Sequence, residues 1–422
     1  MTFDRYRQIF RNSSFRLFWI GFTFSVLGDA ITHVALTWYV YETTRSAAAL
    51  GWLMLCYTGP VIVGGLLAGS LLDRFDRRKV ILVDNVIRGA GVALIPVLYV
   101  LGRLELWHIY AVAALYGLLM MISLAGGPAL IPALVRGDQL ATANALEMLS
   151  FTLGGVIGPV LAGLLIAWVG APNVVLIDVA SYFTYAFLLA RVGAIGARQE
   201  RSKLDQPAYH LGHAVQLLLK NKVLLATTCM FMAFNIGSGF YSVWLPILSD
   251  QRLGGGSKLY GILLGVLACG EVAGALVAGG RTFRRSLGVL ICFAQALAGA
   301  ALGIVLIGPS VWSAALGLAL FGAFSAPLTI WAQTLRMQII PEQLRGRMFA
   351  LLRTLMQSGN PLGGAVAGLL LPVLGMTTMI ALSALVAGVP GLLGYQVAAL
   401  RQAGSPGELL DQTALVAEGE LP

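Results

Sequence analysis

Charge is what this sequence has least of. Asp, Glu, Lys and Arg make up 11% of its 422 residues, against 58% hydrophobic residues, and the mean hydropathy is +0.82. A soluble chain of this size carries roughly a quarter of its residues as charges, so a sizeable soluble domain is excluded. Cysteine is scarce as well. Cys56, Cys229, Cys269 and Cys292 are scattered through apolar segments and form no CxxC, which argues against disulfides and zinc. The pair His210 and His213 has HxxH spacing but no acids or cysteines beside it, so no metal site is expected. A nucleotide-binding loop, HExxH and GxSxG are all missing, which argues against a membrane enzyme and against a cofactor. The start, "MTFDRYRQIFRNSSFRLFW", is basic and polar, with no short apolar core leading to a small-residue cleavage site. The first hydrophobic helix is expected to be its own insertion signal.

Long apolar runs take the place of charge. A helix needs about 20 apolar residues to cross about 30 Å of hydrocarbon. Twelve such spans are predicted, at 17–40, 48–71, 80–101, 108–132, 144–169, 173–193, 223–247, 259–280, 287–307, 311–334, 347–371 and 377–400. The expected fold is an all-α integral membrane protein of twelve transmembrane helices in two pseudo-symmetric halves of six. The halves are residues 1–193 and 223–400. A cytoplasmic linker at 194–222 joins them, and a disordered cytoplasmic tail occupies 401–422. Within the linker, Leu211, Val215, Leu218 and Leu219 recur at helical spacing, which predicts a helix lying on the membrane surface.

The net charge of +9 is mainly a topology signal. If the N-terminus is inside, only Arg45, Arg103, Arg252 and Lys258 fall in loops on the far side, and Arg88 lies within a span. All other Lys and Arg sit in segments or span ends on the N-terminal side, and this bias sets orientation. Both termini are therefore expected in the cytoplasm of a multi-pass cell-membrane protein, and nucleic acid is not an expected partner.

The halves echo each other. "GDQLATANAL" (Gly137–Leu146) enters span 5 and "PEQLRGRMFAL" (Pro341–Leu351) enters span 11. Arg74, Arg77 and Arg78 correspond at a constant offset to Arg281, Arg284 and Arg285, with Asp73 falling on Gly280. Weak symmetry between halves is typical of secondary transporters.

"GSLLDRFDRR" (Gly69–Arg78) resembles the motif between helices 2 and 3 of the major facilitator superfamily: a Gly, then Asp-Arg, then a basic cluster. Asp76 stands where that family usually has a turn glycine. "FRLFWIGFTFSVLGDAITHVALTWYVYE", "PALIPALVRGDQLATANAL" and "IIPEQLRGRMFAL" are similar to its macrolide-efflux and siderophore-exporter branch. "GGVIGPVLAGLL" (Gly154–Leu165) resembles the antiporter motif, with Gly154, Gly158, Pro159 and Gly163 in place and Ala162 for one Gly. Small residues at this spacing also serve ordinary close packing of helices, so both readings stay open. Span 4 carries no charge, unlike proton-coupled drug exporters with an Arg there.

The resemblance implies a gate at the charged turn formed by Gly69, Asp73, Arg74, Arg77 and Arg78. Asp73 would face the amino end of span 11 while the cytoplasmic side is closed, and the basic residues would meet acids of their own half. A carboxylate at a helix N-terminus gains about 0.3–1 kcal/mol when exposed and up to about 2 when partly buried. Such a contact biases the equilibrium between inward-open and outward-open states.

Ionisable residues inside a span are functional candidates by default. Ser25, Asp29 and His33 are spaced one turn apart, with Thr32 beside them; on a helix they form a polar stripe. Asp29 could take a proton or a cationic substrate, with His33 tuning it. Glu271 lies at a similar depth in the second half, among Gly261, Gly265, Gly270 and Gly274. Asp84 and Arg88, four apart, are expected to neutralise each other. Asp178 and Glu147 read as structural. Neither Asp29 nor Glu271 has an obvious cationic partner in the sequence, which favours neutral or cationic cargo.

The function these residues support is secondary transport: proton-coupled efflux of a lipophilic neutral or cationic small molecule, macrolide-like drug or metabolite, by alternating access. The alternative is export of a siderophore or another metabolite, with a non-transporting membrane sensor or scaffold as the remote one. The expected partners are a small-molecule substrate, protons and the lipid bilayer, acting on a monomer. One proton falling through 100 mV gains about 2.3 kcal/mol and one pH unit adds about 1.36. Together these support a neutral-substrate gradient of roughly a few hundredfold.

The orientation has a direct check. Reporter fusions after Leu400 and within residues 196–206 should report cytoplasm, and one within Leu253–Ser257 should report the outside. A linker fusion reporting the outside would overturn the orientation.

Overall fold

The computed structural model describes residues 2–192, 211–280, 285–308, 310–341 and 345–404. His210, Arg281, Arg284 and residues 405–422 of the tail lie outside the described residues, as do the side chains of Asp73 and His213. Among the described residues the elements are helical, and eleven segments are long and apolar enough to cross a membrane. The last, Leu351–Gln396, holds two arms, because Gly375 within it has φ 76 and ψ 166, a left-handed break. Dividing it there yields the twelve spans of the sequence.

The contacts cluster into two compact units. The first comprises Met1–Asp205 and Leu245–Gly265, the second Gln206–Trp244 and Val266–Pro422.

The first unit opens with α1 (Thr2–Arg11) and α2 (Ser13–Thr44). Asn12 separates them. Its Oδ1 accepts from Ser14 N at 3.0 Å and Phe15 N at 3.2 Å, satisfying free N–H groups at the start of α2. Its Nδ2 donates to Leu134 O at 2.6 Å, at the end of α6 (Leu106–Leu134). One side chain therefore stops one helix and starts another. Ile9, Phe15, Phe18, Phe22, Leu130 and Leu134 pack around that corner.

The predicted second span is two helices, α3 (Ala47–Thr58) and α4 (Val61–Arg74). They meet in a turn at Gly59 and Pro60, where proline has no N–H to continue the ladder. At Asp76 the structure departs from a left-handed turn: φ is −58 and ψ is 114. The residue is the N-cap of α5 (Arg77–Val100), and its Oδ1 accepts from Arg78 N at 2.9 Å. A short acid suits that task as the family's glycine does not.

Helices α7 (Leu140–Val169) and α9 (Leu176–Arg191), with the single turn α8 (Ala171–Val174) between them, pack against α2. Trp19 Nε1 donates to Leu146 O at 2.9 Å, and the hydroxyls of Thr23 and Ser150 lie 2.7 Å apart. Gly154 and Gly158 face Val26 and Ala30 with no room for a Cβ, and Gly163 faces Gly261 equally closely. The four residues resembling an antiporter motif thus serve close helix packing. On the other face of α2, Gly28 leaves room for Asp178 and Ser181 of α9. The segment Leu245–Gly265 is tied to α2 by Asp250, which accepts from Tyr41 Oη at 2.8 Å and from the Arg45 guanidinium.

The second unit contains α10 (Leu211–Lys220), most of α11 (Lys222–Ile247) and of α12 (Gly256–Gly280), then α13 (Leu287–Gly303), α14 (Val311–Ile339), α15 (Arg345–Gln357), α16 (Gly359–Gln396) and α17 (Ala398–Gln402). Helix α10 is the predicted linker helix. Leu219 is exposed, as a surface helix would have it, but Leu218 is buried with Leu224, Ile340, Met348 and Leu352, so part of its apolar face rests on protein. Gln295 is fully buried and donates to Met230 O at 2.8 Å and Ala387 O at 3.0 Å, pinning α13 between α11 and α16. Trp244 Nε1 donates to Ser383 Oγ at 2.8 Å.

Two glycines should behave oppositely. Gly28→Leu should drive a side chain into α9 and lower the thermal midpoint of purified protein by the equivalent of at least about 1–3 kcal/mol. Gly69→Ala meets nothing within 4 Å and should be neutral or slightly stabilising, since Ala is the better helix former. Equal loss from both would contradict the packing described.

Candidate functional site

Ser25, Asp29 and His33 of α2 line one cavity of about 300 Å³ in the first unit. The stripe anticipated from their spacing therefore faces a common space. The remaining walls are largely aromatic: Phe22, Tyr57, Tyr116, Phe151 and Tyr185, with Arg88 and Ser123 as further polar groups. The rings fall into two contacting sets, and in one of them Phe22 meets Phe151 and Tyr185 edge to face at 5.4 and 6.3 Å between centroids. His33 meets Tyr57 edge to face at 4.8 Å between centroids, and Tyr57 stacks on Tyr116 at 4.6 Å. Gly154 and Gly155 open the α7 side.

Arg88 is the centre of this site. It is 1% exposed and is reached from four helices. Its Nη2 donates to Asp84 Oδ2 at 2.7 Å, one turn back on α5, and to Ser123 Oγ on α6. Ser123 Oγ in turn donates to the same Asp84 oxygen at 2.8 Å. Nη1 donates to Tyr182 Oη on α9 at 3.1 Å and lies 3.6 Å from Asp29 Oδ1 on α2. The guanidinium also covers the rings of Tyr182 at 4.7 Å and Tyr116 at 5.6 Å. The Asp84–Arg88 pairing was anticipated. The reading of Asp29 as a carboxyl without a cation is corrected: Asp29 shares Arg88 and also accepts a hydrogen bond from Tyr182 Oη. The two residues lie on different helices, so no spacing rule could have joined them.

Asp178 lies in the first turn of α9, where it docks against Gly28 of α2 and is fully buried. Tyr57, Tyr116 and Tyr182 were missed altogether. Their only sequence signal was that they are tyrosines, with polar tips, inside apolar spans.

Glu271 belongs to the second unit and is not one of this cavity's lining residues. Its helix runs very close to α14, where Gly270 faces the backbone of Ala319 and Gly274 that of Ala323. Ser325 and Tyr241 are its electrostatic neighbours, and its side chain is exposed. Asn235 donates to Met356 O at 3.0 Å.

At the charged turn, Arg77 Nη1 donates to Ala129 O at 2.9 Å. Arg78 donates from Nε to Leu189 O at 2.7 Å and from Nη2 to Ala190 O at 2.6 Å. These last two carbonyls end α9, where free acceptors and the helix dipole both favour a cation. The basic residues meet backbone carbonyls here, a contact the resemblance did not imply. Arg74 is exposed and Gly69 faces open space.

Tyr182→Phe removes the hydroxyl between Arg88 and Asp29 while keeping the ring. It should cost about 1.5–3 kcal/mol, as for hydrogen bonds to charged groups, read as a lower thermal midpoint. No change would mean that the hydroxyl is incidental to the network.

The comparisons with known proteins agree with this architecture. The model of the Major Facilitator Superfamily matches residues 18–364. The enterobactin exporter EntS of Salmonella choleraesuis (strain SC-B67) is 27% identical over 357 residues, covering 84% of this chain and 85% of the relative. A transporter of Sinorhizobium fredii described only as MFS-type, y4rN, is 24% identical over 362 residues, covering 83% and 86%. Among solved structures, a bacterial homologue of the iron transporter ferroportin in its inward-facing state superposes with a TM-score of 0.69 at 17% identity, over 91% of this chain and 98% of that one. The nucleoside transporter NupG superposes with a TM-score of 0.74 at 14% identity, over 91% and 99%. Those two likenesses are of fold alone. A twelve-span helical architecture and a family match over most of its length place this chain in the Major Facilitator Superfamily, as a multi-pass membrane transporter and not an enzyme.

Proposed function

We propose that the protein exports a siderophore or a related small metabolite across the bacterial inner membrane, by alternating access and at the expense of the proton gradient. The observation that carries this reading is its likeness to enterobactin exporters over more than four-fifths of both chains. That likeness favours the siderophore alternative over a macrolide-like drug. The aromatic cavity of the first unit supports a substrate with flat apolar parts. In this reading Asp29 and His33 contact the cargo, and Glu271 offers a carboxyl in the other unit. Asp73, with Gly69, Arg74, Arg77 and Arg78, shifts the balance between the two open states.

A second reading has its own support. Arg88 at the cavity wall is shared between Asp29, which also lines it, and Asp84, which is buried outside the lining, so the cavity has no surplus of positive charge. This suits the neutral or cationic lipophilic molecule considered from sequence. It also bears on the first reading, because a siderophore would then enter with most of its acidic groups protonated or outside this cavity.

One experiment separates them. In iron-starved cells lacking their own exporter, expression should raise siderophore in the medium and lower it in the cytoplasm several-fold, and Asp29→Asn should abolish the effect. Asp73→Asn should also reduce export strongly while leaving substrate binding nearly intact. Unchanged siderophore distribution together with lower macrolide or dye accumulation would replace the first reading by the second.

A further inference from the structure

The carboxyl of Asp178 is buried at 0% exposure between α2 and α9, and its hydrogen bonds can be counted. Oδ2 has no partner. Oδ1 lies 2.9 Å from Ser181 Oγ, and that hydroxyl also lies 2.8 Å from the backbone oxygen of Asp178. A serine hydroxyl has one hydrogen to give. If it goes to the backbone oxygen, an ionised carboxylate at Asp178 would accept nothing from Ser181. If it goes to Oδ1, the carboxylate would accept one bond where it can take about four.

The groups facing Asp178 do not relieve a charge there. From α2 come Asp29, itself an acid, and Thr32, whose buried hydroxyl lies beside the carboxyl and offers it at most one poorly aligned hydrogen bond. From α5 comes Arg88, already engaged by Asp84, Asp29, Ser123 and Tyr182. Ser181 and Tyr182 share its helix, and Tyr182 gives its hydroxyl hydrogen to Asp29. Tyr57 of α3 contributes only a further phenol. A buried carboxylate without a counter-ion costs far more than a neutral acid in the same place, and a second negative charge beside Asp29 adds to that cost.

We infer that Asp178 is a neutral carboxylic acid holding an exchangeable proton, donating it to Ser181 Oγ, while Asp29 stays ionised against Arg88. Ser181 completes the pair by donating to the Asp178 backbone oxygen, so that the acid's hydrogen and the serine's each have one acceptor. On release the O–H bond of Asp178 breaks, the proton passes to water, and the Ser181 hydroxyl turns to Oδ1. Asp178 thereby becomes the proton-carrying group of the first unit. The link to transport rests on the proton-driven efflux proposed above; the protonation state does not.

Infrared spectra of the full-length protein in lipid nanodiscs test this without any substrate. At neutral pH a carboxylic-acid carbonyl band should be present, should shift in D2O, and should be missing from Asp178→Asn. Ser181→Ala keeps the carboxyl and removes its acceptor, so it should move the same band. Should Asp178→Asn fail to fold, the Ser181→Ala shift decides alone. An acid band unchanged in Asp178→Asn, a band unmoved by Ser181→Ala, or one insensitive to D2O would each overturn the inference. Failure of siderophore export would leave it standing.

Discussion

A guanidinium removed from water sets the organisation of the first unit. Arg88 can remain charged in a membrane interior only because Asp84, Ser123, Tyr182 and Asp29 surround it. Taking such an ion out of water costs several kcal/mol even after relaxation, and only well-placed partners offset that cost. The partners come from α2, α5, α6 and α9, so four helices must hold their registers for the charge to be tolerated. A single side chain thereby ties the mutual positions of the helices to the electrostatics of the cavity they enclose.

Close helix approach is what makes that convergence possible. The absent side chain of Gly28 lets α9 reach α2, bringing Tyr182 to Asp29 and seating Asp178 against α2. Gly154 and Gly158 do the same for α7 on the opposite flank. In a bilayer the hydrophobic effect does not press helices together, so close packing of small residues and interhelical hydrogen bonds carry association. The glycines that resemble an antiporter motif and the charged cluster are therefore parts of one arrangement. Tyr116 lies against the Arg88 guanidinium, and Tyr57, stacked on Tyr116, extends that aromatic face along the cavity.

Much of this was legible in the sequence, and the rest was not for identifiable reasons. Spans are long and one-dimensional, so apolar length alone located them. The Asp84–Arg88 pair lies within one helix, where a four-residue spacing fixes proximity. The stripe Ser25, Asp29 and His33 is readable on the same ground. The contacts Arg88–Asp29 and Gly28–Asp178 cross helices, and no periodicity reports which faces meet. Asp76 was judged by the glycine it replaces, whereas an acid immediately before a basic helix start is itself a capping signal. The break at Pro60 was in plain view but was absorbed into an otherwise continuous apolar run.

The dependence on Arg88 can be measured by thermal unfolding of two variants. Arg88→Gln leaves Asp84 buried and Asp29 half-buried without their cation and should destabilise by about 3–5 kcal/mol. Adding Asp84→Asn to it removes one stranded charge and should recover a substantial part of that loss, so the double variant should be more stable than the single one. If the two substitutions instead add as independent losses, Arg88 is not the group on which the surrounding acids depend.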